Sequence, residues 1–484
     1  MDIQDYYKDV YVKKRMLEFL GGKKLDEVSA FFITQCDTPW LELGSSFTTP
    51  GGLEELLSTG LDVSRSLWDQ HSLIAHLDLE YVNFDFPAEP YLDQFRSFSL
   101  QSASENAIQK ILLEYGIAPL HVLSGRGHHF IWCLSRKCAA FGKLSSIGRV
   151  PPHLELCYAE PHWPVQRNIN RDLGAAYSGL GLLMEYLAYR VRDRATPQTS
   201  VPVELTAIEV PPQQRGREMV SIDISEYGDQ LHTRVVRIPY SVYLKPWRKG
   251  GILTEEIKDK IPLMASVPLF EMGIEEGVER MRDLSKAAEL AQRASIQIPD
   301  QSEQMLDLIE DYQKSDVAQF HDWYYSLEHH TTENWEFTYD LIPKNMIPPC
   351  ARHILKNPND LLLKPACILL VVRIFLALGW HPRHVAGLIR SKFERDYGWG
   401  SEWYFYDAAT RADFYTRIFS GLIKTNRDDL KFFDCQSVEG SGYCFRSGQR
   451  CSLENYRKSL SERVKNERLA SRPFNGLFLP EEYF

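Results

Sequence analysis

The chain has 484 residues, 44% of them hydrophobic and 25% charged, and carries no long low-complexity run, which excludes a mostly disordered protein. Lys and Arg total 55 against 65 Asp and Glu, a formal net charge of -10, so indiscriminate coating of duplex nucleic acid is excluded and any nucleic-acid site must be a local patch. Nine cysteines, an odd number, and a charged, amphipathic Met1–Leu20 argue against a disulfide framework and a secretory leader.

The first half reads as α/β. Ser72–Phe86 has the pattern of a strand and Ala103–Tyr115 that of a helix. His121–Ser124, a glycine-rich turn and His129–Leu134 follow as a second and third strand. Asp172–Arg194 reads as a long helix. Val203–Val210, Met219–Ser225 and Leu231–Pro239 read as strands, with turns at Pro211-Pro212 and Tyr227-Gly228-Asp229. Beyond Trp247 the texture becomes helical: Leu253–His330 is rich in Glu, Lys, Leu and Ala, broken by Pro262, Pro268 and Pro299. A third region opens at Ile347-Pro348-Pro349-Cys350 and contains helices over Pro365–Leu378 and Pro382–Tyr397. Its apolar stretch Ile368–Trp380 includes Arg373 and is shorter than the roughly 20 residues that span a bilayer. Arg457–Phe474, with six basic and two acidic residues, reads as a mobile arm. The expected organisation is an α/β domain over 1–250, a helical connector over 251–345, a mostly α metal-binding domain over 346–456 and a basic tail over 457–484. The expected setting is a reducing compartment, cytoplasmic or nucleoid-associated, with no membrane partner.

The chemistry concentrates at four places in the α/β half. Asp78 and Glu80 lie two apart in a strand pattern, so both carboxylates share one face. Like charges there are unfavourable unless a cation screens them, and Mg²⁺ or Mn²⁺ prefers such oxygen ligands. Asp223 stands alone in the apolar Met219–Ser225. Between them, Ser124-Gly125-Arg126-Gly127-His128-His129 offers backbone amides and the Arg126 fork to an anion, and strand alternation lets only one of the two histidines face the same side. Arg237, Ser241 and Lys245 bring two cations and a hydroxyl to a strand end, as a triphosphate requires.

Near the end, Cys435, Cys444 and Cys451 cluster within a glycine-rich stretch that reads as a loop, with Cys350 the best fourth ligand and Cys367 a core residue of the apolar helix. Four thiolates suit zinc or an iron–sulfur cluster, and spacing does not choose between them. Cys133, Cys138 and Cys157, with His153, read as core residues rather than a zinc knuckle.

In chain order the α/β motifs resemble the archaeo-eukaryotic primase superfamily, whose signature is an acidic pair, a Ser-x-His-type turn and a lone Asp on an apolar strand. The resemblance covers about residues 1–250. It implies a primase-type core with an RRM-like sheet, in which Asp78, Glu80 and Asp223 hold two divalent ions while Ser124, Arg126 and His129 contact the incoming triphosphate. His129 rather than His128 falls at the spacing of that family. Arg237, Pro239, Ser241 and Lys245 match its Arg-x-Pro-x-Ser-x-His-x-Lys segment, and Tyr243 departs from it where histidine is usual. Residues 345–456 resemble the C-terminal domain of the primase large subunit, which implies a [4Fe–4S] cluster on Cys350, Cys435, Cys444 and Cys451 and a role in holding template, initiating nucleotide and primer 5′ end. Together these resemblances imply a DNA primase-polymerase acting on single-stranded template and nucleoside triphosphates. A non-catalytic nucleic-acid-binding module and a metal nuclease are the competing readings. Ribo- against deoxynucleotide preference stays open, as does service to replication, repair or defence proteins.

Overall fold

The computed structural model describes residues 1–35, 47–159, 170–214, 216–228, 235–248, 251, 253–342, 346–399, 407–446 and 451–469. The chain forms two compact units. The first comprises Met1–Leu205, Glu218–Tyr227 and Leu231–Glu310, and the second Thr206–Arg217, Gly228–Gln230 and Asp311–Phe484.

The strands are β1 (Ile33–Thr34), β2 (Ser64–Ser66), β3 (Ser72–Asn83), β4 (Leu120–Ser124), β5 (Gly127–Ser135), β6 (Val203–Leu205), β7 (Glu218–Asp223), β8 (Val235–Arg237), β9 (Val242–Tyr243), β10 (Met264–Ala265) and β11 (Val267–Pro268). Six of them form one mixed sheet in the order β11-β4-β5-β3-β7-β6, antiparallel throughout except for the parallel pair β6–β7. The long central strand β3 organises it because its two faces differ in chemistry. Leu77, Leu79 and Tyr81 are buried on one face, while His76, Asp78 and Glu80 alternate with them on the other. The helix Gln94–Glu114 lies on the apolar face, where its Phe98 meets the His128 ring edge-on at 4.9 Å, and the helix Arg171–Ala195 packs against it in turn. The glycines of Arg171–Ala195 are buried rather than helix-breaking.

The first unit is thus mixed α/β and the second mostly helical, built on Pro349–Lys356, Pro365–Ala377, Pro382–Phe393, Ala408–Lys424, Cys435–Gly440 and Glu454–Leu469. Several expectations shift. The strand expected over Val203–Val210 stops at Leu205, because Thr206 and Ala207 take φ of 56° and 52°. Of Leu231–Pro239 only Val235–Arg237 is a strand among the described residues. The expected connector 251–345 is not a separate body. Its first part supplies β10, which pairs with β9, and β11, which pairs with β4 at the sheet edge, so 251–310 belongs to the first unit and 311–345 to the second.

Part of the expected basic arm is a packed helix, Glu454–Leu469. It buries Leu460, pairs Glu467 with the buried Lys424 at 2.6 Å and donates from Arg463 Nε to the Ala377 carbonyl at 2.9 Å. Residues 470–484 lie outside the described residues. In the apolar helix Pro365–Ala377, Arg373 is neutralised by two hydrogen bonds to Asp428, at 2.9 and 2.7 Å. Among the described residues no helix is long and apolar enough to cross a membrane.

Candidate active site

Sheet register brings the acidic residues together. Asp78 lies directly opposite His129 on β5 and opposite Asp223 on β7; Glu80 lies opposite Gly127 and Ser221. Directly paired residues share a face, so Asp78, Glu80, Asp223 and His129 project to one side. His128, one position away, points to the other side and hydrogen-bonds His121 at 2.9 Å.

The turn between β4 and β5 is a two-residue hairpin, Gly125-Arg126. Gly125 takes φ +51°, as the first position of a primed turn requires. A Cβ on Gly125 would overlap the Tyr243 ring, and one on Gly127 would run into the Leu79 carbonyl. The buried Gln94 donates to the Gly125 carbonyl at 2.6 Å and Gln101 to the Arg126 carbonyl at 3.0 Å, which fixes where the Arg126 side chain starts. Ser124, at the other end of the turn, is buried, and its hydroxyl has no hydrogen-bond partner.

The electrostatics divide the carboxylates. Burial would raise Glu80, but Arg126, which is ion-paired to its Oε2, and Lys245, whose Nζ lies 3.5 Å from Oε1, bring it down to about 2. Asp78 is pushed well above the usual carboxylate range by burial and then by the charges of Glu80, Asp223 and Glu226. Its Oδ1 is buried without a hydrogen bond, 3.6 Å from His129 Nδ1. Asp223 Oδ1 accepts from the Ser225 backbone at 2.9 Å. Burial, and behind it His76, holds His129 well below the ordinary histidine range.

The Arg237–Lys245 segment, expected at the end of a strand, makes a sharp turn straight after β8. Ile238–Ser241 is a tight turn closed by Ser241 N–H to the Ile238 carbonyl at 2.9 Å, with Pro239 second and Tyr240 third at φ +68°. That turn sends Ser241 inward, where it is fully buried and its Oγ accepts from the Val63 backbone at 2.6 Å. Ser241 therefore braces the loop and does not face the carboxylates. Arg237 bonds Asp62 at 3.1 Å and the Val242 carbonyl at 3.0 Å, with its guanidinium 4.8 Å above the Tyr243 ring. Lys245, at the start of a short 3-10 helix, remains 40% exposed beside Glu80.

Among the described residues no three His, Cys, Asp or Glu side chains stand together as a ready metal-binding group. The donor chemistry around Asp78 nevertheless suits a hard divalent cation: an orphaned buried carboxylate oxygen, two neighbouring carboxylates and a surplus of negative charge.

In the second unit Cys350 lies buried in the first turn of its helix, and its thiol is pushed up to about 12 by burial and, behind it, by Cys451 and Cys444. Cys451 is raised by burial and then by Cys435 and Cys444. Cys350, Cys435, Cys444 and Cys451 are all free of disulfides, and thiols of this kind are donors for a soft metal or cluster. Cys435 does not sit in a loop as expected; it opens the short helix Cys435–Gly440, and its Sγ accepts from the Leu453 backbone at 3.4 Å. Cys367 is buried in the helix Pro365–Ala377. Cys133 lies within β5 and Cys138 caps the helix Ala139–Ile147. The side chains of Cys157 and His153 lie outside the described residues.

Sequence reasoning missed His76, Glu226, Gln94 and Asp62. The only signal for His76 was its place two residues before Asp78 on the same strand face. No protein-family model, curated protein or solved structure matches the chain significantly.

Proposed function

We propose that the first unit carries out template-directed nucleotidyl transfer, as a primase-polymerase that makes or extends primers from nucleoside triphosphates on single-stranded DNA. The observation that carries this reading is the register placing Asp78 against Asp223 with Glu80 on the same face, around an unsatisfied Asp78 oxygen. Asp78, Glu80 and Asp223 would hold Mg²⁺ or Mn²⁺, which when bound activates the attacking 3′-hydroxyl and neutralises the departing pyrophosphate. Arg126 and Lys245 bring two positive charges to the Glu80 end of the site, where a triphosphate tail needs them. Ser124 and His129 are the neighbouring contacts for that tail. In the second unit Cys350, Cys435, Cys444 and Cys451 would hold a [4Fe–4S] cluster, with zinc as the alternative, in a unit that grips template and primer 5′ end.

A second reading, a primase-like module that binds nucleic acid without synthesis, is favoured by the engagement of Arg237 with Asp62 and the burial of Ser241. Incubation with Mn²⁺, a single-stranded template and labelled nucleotides separates the readings. Product growth that Asp78→Ala abolishes, with its circular dichroism unchanged, supports synthesis. Growth retained by Asp78→Ala refutes the site, binding without growth supports the second reading, and template loss indicates a nuclease.

A further inference from the structure

We propose that Glu226 and His76 are positioning residues that clamp His129 by its Nδ1, so that Nε2 is the ring nitrogen offered to the nucleotide. The proposal rests on the reading of this site as a nucleotidyltransferase. Three separate stretches of chain build the clamp: β3 carries His76, β5 carries His129, and Glu226 lies in the short 3-10 helix Ser225–Gly228 that follows β7. Glu226 Oε1 is 3.0 Å from His76 Nδ1, and His76 Nε2 is 2.7 Å from His129 Nδ1. The two ring centroids are 5.0 Å apart and the ring planes 22° apart, as an edge-to-edge bond between ring nitrogens requires.

The surroundings hold each member. The β3–β7 ladder ends at Asp78 and Asp223, and beyond it the Tyr227 hydroxyl takes over the open backbone of His76, accepting from its N–H at 3.0 Å and donating to its carbonyl at 2.9 Å. Tyr177 donates to the Glu226 carbonyl at 2.6 Å. His76 and Glu226 are both buried.

Hydrogen-bond direction follows from donor counting. A carboxylate only accepts, so the proton of the first contact sits on His76 Nδ1. For a neutral His76 this uses its one N–H, so that His76 Nε2 accepts and His129 Nδ1 donates; in either direction Nδ1 of His129 is the engaged nitrogen. For metal-ligating histidines a hydrogen-bonded partner behind the ring fixes orientation and tautomer, and its loss costs roughly 10- to 100-fold in metal affinity or activity; the chain behind His129 has the same form.

The test uses the full chain in two arms. In ¹⁵N-histidine-labelled protein, with His129 assigned by its loss in His129→Gln, the expected signature is a protonated Nδ1 and a bare Nε2, altered in Glu226→Gln. A protonated Nε2 with a bare Nδ1, or a His129 signal indifferent to Glu226→Gln, overturns the clamp. In the second arm Glu226→Gln should raise the KM for nucleoside triphosphate by roughly tenfold or more. The Mn²⁺ dependence and kcat should hold, and Glu226→Asp should recover part of the loss. An unchanged KM, or a fall in kcat alone, overturns the assignment to nucleotide positioning. The first arm needs no turnover, so a wild-type protein that makes no product sinks the nucleotidyltransferase reading while the tautomer still decides the clamp.

Discussion

At the scale of single residues, the entry to β3 depends on one buried ion pair. Asp69 Oδ2 accepts from Arg65 Nη2 at 2.9 Å and from Ser29 Oγ at 2.6 Å, while Oδ1 accepts from the backbone of His71 and Ser72 at 2.9 and 3.1 Å. The carboxylate therefore both neutralises Arg65, which is 1% exposed, and ties down the first residue of the strand that carries Asp78 and Glu80. Asp69→Ala leaves the guanidinium buried and uncompensated, a loss expected to cost about 3–5 kcal/mol in chemical denaturation at neutral pH. Burial would raise Asp69, but Arg65, Ser29 and the His71 backbone overcome it and hold the carboxyl below its ordinary 3.8. The folded-state value is thus depressed, so the stabilisation is present above pH 3.8 and is lost as pH falls through the lower folded value. The gap between wild type and Asp69→Ala should narrow on acidification below that range. A gap that stays constant with pH would refute the charge-based account.

At the scale of elements, the β4–β5 hairpin is tuned for close approach. Gly125 combines a left-handed φ with direct contact against the Tyr243 ring. Gly125→Ala is expected to cost about 1–2 kcal/mol from the backbone alone, with a further loss from the ring collision. In Tyr243→Ala the same substitution should cost only the backbone part, and thermal unfolding of the four proteins in the cycle measures the difference. Equal costs in both backgrounds would show that the ring does not press on the turn.

This hairpin also marks what the sequence could convey. Alternation along Ser72–Phe86 and the glycines of the turn are local signals, so the acidic face was legible, and so was the rule that only one of the two histidines shares it. The choice of His129 came from the spacing of the family it resembles. Ser241 was not, because a non-glycine residue, Tyr240, takes a left-handed φ that reverses the expected side-chain direction. The two-residue strands β10 and β11 were invisible in helix-like composition, since pairing with β9 and β4 makes them extended. The Glu226–His76–His129 chain needs three distant segments, and no local pattern announces it.

At the scale of the whole molecule, the two units are interleaved along the chain. The segments Thr206–Arg217 and Gly228–Gln230 belong to the second unit, yet they flank Glu218–Tyr227, which carries β7 and Asp223. Within the second unit the first of these segments is pinned beside the thiols. Glu209 Oε2 accepts from the Tyr443 hydroxyl at 2.5 Å, its Oε1 is ion-paired with Arg217, and Tyr443 directly precedes Cys444. One carboxylate thus ties the lead-in of the Asp223 strand to the cysteine segment.

Glu209→Ala leaves the half-buried hydroxyl without its acceptor, at about 1–3 kcal/mol, which for a unit of this size lowers its unfolding temperature by about 2–4 °C per kcal/mol. Tyr443→Phe removes the same bond from the other side. The double variant should therefore lose less than the sum of the singles, as calorimetry can show. The visible absorption of anaerobically purified protein reports the thiol end, with Cys435→Ser as the control expected to abolish any cluster band. Glu209→Ala should weaken that band and lower the unfolding temperature together. Additive losses in the cycle would mean that the Thr206–Arg217 segment and the cysteine segment are held independently within the second unit.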